Sequence, residues 1–260
     1  MFKPMNTSDE ATTRRKVLLY GHHGWGKTTQ MANYQRHYGK GFIISGEAGL
    51  SSIRSANIDY LPFSSFDGVN DPEKGIYSFK AICKMIASEE FKAAGYTWIG
   101  LDSLTELGDL VLEHVQHIYK DDKNGFKLWG DYKNIMLGAC KWVRDLPYHV
   151  IVTALAKEES DDNGVQNYWP FVAGSAVQKQ LPGIFDCVMC GIRTTGDDGQ
   201  GNQRVHRYIV TDEVKGWHGK VRDEKHRLKP VERSGDVAEL LSRLDMTDEE
   251  FSKLTTREGA

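Results

Sequence analysis

Residues 16–29 read "KVLLYGHHGWGKTT": an apolar run, a turn bracketed by glycines, and the first polar residues of a helical segment. The turn fits the pattern G-x-x-x-x-G-K-[ST], with Gly21 and Gly26 at its two fixed glycines. The pattern requires glycine because main-chain N–H groups must wrap closely around phosphate oxygens, along a path that side chains would block. Lys27 then carries a point charge to the outer phosphates, and the Thr28 hydroxyl completes the shell of a Mg²⁺ ion. A helix starting near Gly26 turns its N-terminal dipole toward the same phosphates. Gly21, His22, His23, Gly24, Trp25, Gly26, Lys27, Thr28 and Thr29 together are the candidate ATP-binding loop. His22, His23 and Trp25 fill variable positions; the adjacent histidines diverge and have no third ligand nearby, so they are read as exposed loop residues, not a metal site.

Outward from this loop the chain alternates. "GFIIS" (41–45) is a second apolar strand, and "IDYLPFSS" a short edge strand whose Pro62 is unsuited to a central ladder. Helical spacing runs through Ile76, Phe79, Ile82, Cys83 and Ile86. "YTWIGLDS" (96–103) is a third strand, followed by a helix with Leu104, Leu107, Val111, Val115 and Ile118 on one stripe. After the polar "KDDKNGFK", a second amphipathic helix spans about Trp129 to Asp145, and "YHVIVTALA" (148–156) is a fourth buried strand. Such alternation predicts an α/β fold with a central, mainly parallel sheet flanked by helices.

Beyond Ala156 the pattern changes. "KEESDDNGVQNYWPFVAG" reads as a long polar and aromatic connection with a turn at Asn163-Gly164. A short helix over about 175–182 leads to "IFDCVMCGIRT", "GDDGQGNQ" and "RVHRYIVT", a C-terminal antiparallel hairpin. A basic connection and the helix "DVAELLSRL" close the chain. The expected organisation is a flexible arm over 1–15, one ATPase domain over 16–245 and a tail over 246–260.

With 260 residues and 40% hydrophobic composition, the chain is long enough for one core of ordinary size. No apolar run approaches the roughly 20 residues that cross a bilayer, and the N-terminal segment has no signal-peptide core, so a cytoplasmic protein with no membrane partner is expected. Cys83, Cys140, Cys187 and Cys190 are too scattered for a disulfide framework and are read as free thiols; Cys187 and Cys190, three apart in a strand, face opposite sides. A net charge of −3 leaves any nucleic-acid contact to a local basic strip or to assembly.

Hydrolysis needs a carboxylate near the metal and a second group that orients water. Asp102, at the end of the apolar "WIGL", supplies the first, as in a Walker B strand. Its neighbour is Ser103, not an acidic residue, so the water-orienting group must come from elsewhere. Glu47, just past the second strand, lies at the carboxyl edge where open α/β sheets gather ligands; the alternative is an exposed loop glutamate.

"GHHGWGKTT", "FIISGEAGL" and "WIGLDSLTEL", in this order, resemble the nucleotide-site segments of the bacterial recombinase RecA and its relatives, most strongly over residues 16–156. The chain looks most similar to phage-encoded ATPases with a RecA-like core, which include single-strand annealing proteins. The resemblance implies that Glu47 orients water and Asp102 serves Mg²⁺. It makes 121–128 and 157–174 the counterparts of two mobile DNA-binding loops, where Lys123, Lys127, Lys157, Tyr168 and Trp169 offer charge and stacking for single-stranded DNA. A solvated loop covering the core fits these residues equally, and Glu158, Glu159, Asp161 and Asp162 oppose phosphate contact. Relatives often end the fourth strand in a polar sensor; here Thr153 is the available hydroxyl.

The resemblance further implies self-association into a filament or ring, with Lys215, Lys220 and Arg222 in the segment that reaches a neighbour's γ-phosphate; of these, Lys220 and Arg222 are the catalytic candidates, and an ordinary basic loop is the alternative. A single-strand-binding protein joins the candidate partners. The expected function is ATP hydrolysis coupled to single-strand annealing or homologous recombination. Competing classes are a helicase, a helicase loader or an AAA+ assembly ATPase, against which Ser103 argues, and a non-hydrolysing, ATP-switched DNA-binding module.

Overall fold

The strand that feeds the loop, β1 (Lys16–Gly21), is buried at all six residues, the pattern of a strand covered on both faces. In the computed structural model, which describes residues 6, 13–122, 125–197 and 203–258, it lies at the middle of the sheet. In chain order there follow α1 (Thr29–Tyr38), β2 (Gly41–Ser45), a 3₁₀ segment (Ala48–Ala56), β3 (Asp59–Pro62), a 3₁₀ turn (Pro72–Lys74), α2 (Phe79–Ile86), α3 (Glu89–Ala93), β4 (Trp98–Asp102), α4 (Leu104–Ile118) and α5 (Gly125–Asp145). The second half holds β5 (His149–Ser160), β6 (Gln166–Pro170), α6 (Ser175–Gln178), α7 (Leu181–Ile184), β7 (Cys187–Asp197), β8 (Gln203–Val210) and the short strands β9 (Glu213–Val214), β10 (Trp217–His218), β11 (Lys220–Val221) and β12 (Val231–Glu232). Helices α8 (Val237–Asp245) and α9 (Asp248–Glu258) end it.

The sheet order is β12-β8-β7-β1-β5-β4-β2-β3. From β7 to β3 every neighbour is parallel, while β8 on β7 and β12 on β8 are antiparallel. This is the P-loop nucleotide triphosphatase arrangement, with the expected C-terminal antiparallel hairpin. Side chains alternate between two buried layers: Leu18, Tyr20, Ile99, Leu101, Val150 and Val152 on the face covered by α2, α4 and α5, and Val17, Leu19, Ile43, Trp98 and Ile151 on the face covered by α1 and α8. Cys187 and Cys190 fall in opposite layers, and burial pushes the Cys187 thiol up to about 12 and Cys190 higher still. Pro62 sits on the outermost strand, where its missing N–H costs no ladder bond.

Four sequence expectations need correction. The helical spacing after Pro72 is broken into three pieces because the Ser78 and Ser88 hydroxyls accept from the N–H groups of Ala81 and Phe91 and start new helices. Ile118 is exposed, not part of the buried α4 stripe. The segment from Lys157 is no open loop: β5 continues to Ser160, the Asp161 carboxylate accepts from the N–H groups of Asn163 and Val165, and β6 returns antiparallel. Past Met246 the chain forms α9, opened by a capping box in which Thr247 and Glu250 bond reciprocally to each other's N–H. The expected arm over residues 1–5 and 7–12, the polar 123–124 and the hairpin tip 198–202 lie outside the described residues. No described helix is long and apolar enough to cross a membrane.

Candidate functional site

The loop leaves β1 at Gly21, which lies so near β7 that a β carbon there would sit 2.6 Å from the Gly191 carbonyl oxygen. Gly24 and Gly26 take φ of +71° and +108°, values that favour glycine. Lys27 is buried, and its Nζ donates to the carbonyls of Gly21 (3.0 Å) and His22 (3.1 Å), closing the loop on itself. Burial lowers the Lys27 pKa, against the opposing pull of the Glu47 and Asp102 charges.

Parallel pairing places the end of β4 between the end of β2 and Val152 of β5, and Asp102 is there, 1% exposed. Its carboxylate accepts from Thr28 Oγ1 at 2.8 Å and from the Thr153 hydroxyl within β5. Burial raises the Asp102 pKa, the two hydroxyls oppose the rise, Glu47 adds to it and Lys27 subtracts. The N–H groups of Gly46 (2.6 Å) and Glu47 (3.3 Å) donate to the Asp102 carbonyl, and the Glu47 carboxylate accepts from Ser103. Gly49, two residues on, lies against Thr28: a β carbon there would come within 3.2 Å of Thr28 Oγ1. The structure therefore brings Lys27, Thr28, Glu47 and Asp102 together from three elements far apart in sequence.

These residues fit a nucleotide with a divalent cation. Glycine amides and Lys27 suit phosphate, a buried carboxylate with a hydroxyl suits a hard metal ion, and half-buried Glu47 is near enough for its charge to act on both Lys27 and Asp102. Glu106, on α4, joins the acidic side; burial, then Asp109 and Glu47, raise its pKa. Thr105 ties this centre to the antiparallel pair β5–β6: its hydroxyl donates to the Phe171 carbonyl, just past β6, at 2.9 Å and accepts from Leu155 N–H at 2.9 Å.

Trp25, to which the motif assigns no role, is 1% exposed. Its indole N–H is shared by the carbonyls of Ile192 (3.0 Å) and Tyr208 (3.2 Å), a cross-strand pair of the β7–β8 arm. Arg207 Nε returns a bond to the Trp25 carbonyl at 2.8 Å. On the other side His22 meets Tyr168 and Trp217 edge-on, at ring-centroid distances of 5.8 and 5.4 Å, and its Nε2 lies 3.5 Å from Glu158. His23 is exposed, and His22 is half-buried against those rings instead of exposed as the sequence suggested. The loop is thus held between two antiparallel ribbons, a feature no motif encodes.

Other candidates are not gathered at the site. Lys220 pairs with Val188, beside Leu18, toward the start of β1, whereas the loop follows its other end. Its Nζ donates to the carbonyls of Pro182 (2.8 Å) and Phe185 (3.3 Å), and Arg222 lies 3.8 Å from Asp186. Neither approaches the chain's own loop. Lys215 lies in the β9–β10 turn. Lys123 lies outside the described residues, and Lys127 is exposed on α5. Lys157 is paired with Glu159 at 2.6 Å, Tyr168 stacks on Trp217 at 4.3 Å, and Trp169 stacks on His218 at 3.7 Å. Each of those two rings already has one face covered from within the chain.

The sheet order and the converging Lys27, Thr28, Glu47 and Asp102 define a P-loop nucleotide triphosphatase. A family model described as an AAA domain (AAA_24) matches residues 13–222; the chain belongs to that family and is a P-loop ATPase. Comparison with curated proteins gives no match. Ser103 beside Asp102, which argues against the AAA class from sequence, does not exclude the chain from a family of that description.

Proposed function

We propose that this chain is a Mg²⁺-dependent, RecA-like ATPase, phage-encoded, that self-assembles and acts on single-stranded DNA in annealing or homologous recombination. The observation that carries the reading is the position of Glu47. Its carboxylate comes from just past the end of β2 and is bonded to Ser103, the residue after Asp102, which supports a division of water orientation and metal binding between two strands as the RecA resemblance implies. Bound Mg·ATP supplies the phosphoryl group and the charge that spreads in its transfer. Lys27 and the loop amides bind phosphate, Thr28 and Asp102 hold the metal, and Glu47 takes a proton from, or orients, the attacking water. The Thr105 bridge to Phe171 and the packing of His22 on Tyr168 support coupling of this centre to the β5–β6 ribbon, the counterpart of a DNA-binding loop.

One set of observations favours a second reading, an AAA-type assembly ATPase that works on protein. The ribbon carries Glu158, Glu159, Asp161 and Asp162, and its Lys157 is neutralised internally. Steady-state ATPase with and without single-stranded DNA, with duplex DNA for comparison and Lys27→Ala as the blank, separates the two. Stimulation by single strands alone is expected; a rate indifferent to DNA, with no DNA binding, refutes the recombination reading and leaves the assembly ATPase.

A further inference from the structure

The arm formed by β7 and β8 stands beside the phosphate loop and beyond the end of β1. Gly191 is level with Gly21, and the paired strands continue outward to Asp197 and Gln203. In this arm Ile192 faces Tyr208, and Arg193 faces Arg207. The first pair holds the Trp25 indole through its carbonyls, so the next pair is fixed relative to the loop. Arg207 is engaged through Nε with the Trp25 carbonyl. Arg193 is exposed and, among the described residues, its side chain has no hydrogen-bond or ion-pair partner. Its guanidinium lies against the loop: a β carbon built on Gly24 would be 3.4 Å from Arg193 Nη1.

Two considerations of charge turn this placement into a binding site. Like charges directly opposed on an antiparallel ladder repel, and an anion between them removes the penalty. At the loop itself Lys27 feels the charge of two carboxylates, Glu47 and Asp102, which a Mg²⁺ ion held there would offset, so a further cation is left to meet the remaining charge of the nucleotide phosphates. A guanidinium has the forked, permanently charged geometry that suits phosphate oxygens.

We propose that Arg193 is a phosphate-binding residue of the chain's own nucleotide site, supplied in cis by the β7–β8 arm. The assignment rests on the reading of residues 21–29 as a loop that binds ATP. Lys220 and Arg222, expected at a neighbour's γ-phosphate, lie away from the chain's own loop, so Arg193 is a cation that the chain brings to its own phosphates.

The test is equilibrium binding of a non-hydrolysable ATP analogue with Mg²⁺, and of AMP, to the full chain. Arg193→Ala should weaken the triphosphate roughly tenfold or more, the scale of a lost charge-assisted hydrogen bond, and weaken AMP less. Arg193→Lys should recover part of the loss. Arg204→Ala, further out on the same arm opposite Gly196, should bind like the wild type, and thermal melting without nucleotide should not fall in either Arg193 variant, since Arg193→Ala relieves the repulsion from Arg207. Wild-type affinity in Arg193→Ala, with binding abolished in Lys27→Ala, overturns the assignment while the loop reading stands. A wild-type chain that binds no ATP removes both. Loss of single-stranded DNA binding in Arg193→Ala with nucleotide affinity unchanged also overturns it, because the phosphate recognised would then be that of a strand.

Discussion

Replacing Trp25 tests whether the phosphate loop is anchored to the β7–β8 arm. The indole is 1% exposed, packs over Gly191 and donates to two carbonyls of one cross-strand pair. Trp25→Ala removes the buried ring and leaves a cavity, which costs about 3–5 kcal/mol. At about 2–4 °C per kcal/mol for a chain of this size, the melting temperature should fall by roughly 6–20 °C. Trp25→Phe keeps most of the packing but leaves the Ile192 and Tyr208 carbonyls without their shared donor, about 1–2 kcal/mol. By differential scanning fluorimetry Trp25→Phe should therefore melt below the wild type, and Trp25→Ala below both. ATP affinity should follow stability, because a loop released from the arm no longer holds its amides in position for phosphate: about tenfold weaker in Trp25→Ala and little changed in Trp25→Phe. A Trp25→Ala chain that melts within about 1 kcal/mol of the wild type and binds ATP normally would falsify the insertion of the indole between loop and arm.

Glu47→Gln keeps a side chain of the same size beside Ser103 and should bind Mg·ATP normally while turnover falls by roughly 10²–10⁴, as measured in single-turnover hydrolysis; parental turnover would remove Glu47 from the mechanism. Thr153→Val takes one of two hydroxyl donors from buried Asp102 and should cost about 1–2 kcal/mol in stability and raise the Mg²⁺ concentration needed for half-maximal ATPase; an unchanged Mg²⁺ titration would contradict the contact. His149 is held neutral, its pKa lowered to about 4 by burial and then by Lys16 and Arg14, against Asp245, while its ring stacks on Tyr38 and Nδ1 accepts from the Arg15 N–H. The unfolded chain binds a proton there below about pH 6.5 and the folded chain only near pH 4, so stability present above pH 6.5 is lost as pH falls through that window. Allowing for partial exposure, the loss is roughly 2–3 kcal/mol, and His149→Gln should flatten the melting temperature between pH 6.5 and 4; an undiminished slope would assign the acid sensitivity to carboxylates alone.

Local chemistry was enough to write the phosphate loop, the four parallel strands and Asp102 into the sequence. Glycine at fixed spacing, a wholly apolar strand and a carboxylate at a strand end each declare themselves within ten residues. Pro62 told its edge position for the same reason, a missing donor that any neighbouring strand would need. The segment from Lys157 misled because its charged composition reads as loop, while the pairing of β5 with β6 overrode composition. In α9 a legible capping signal, Thr247 with Glu250, was outweighed by the polar character of the last residues.

What the sequence determined by itself was the class of machine: a nucleotide loop, the strand-end carboxylate beside it and an alternating α/β chain around them. What only the tertiary structure decided was who stands beside the loop. Lys220 and Arg222 share the basic composition of Arg193 and Arg207, yet the register of β11 on β7 sends the first pair toward the start of β1, and the pairing of β7 with β8 carries the second pair past Trp25. Charge is a property of the residue, but proximity to a phosphate is set by strand register, and register is fixed by contacts between segments more than 150 residues apart, as Trp25 and Ile192 are.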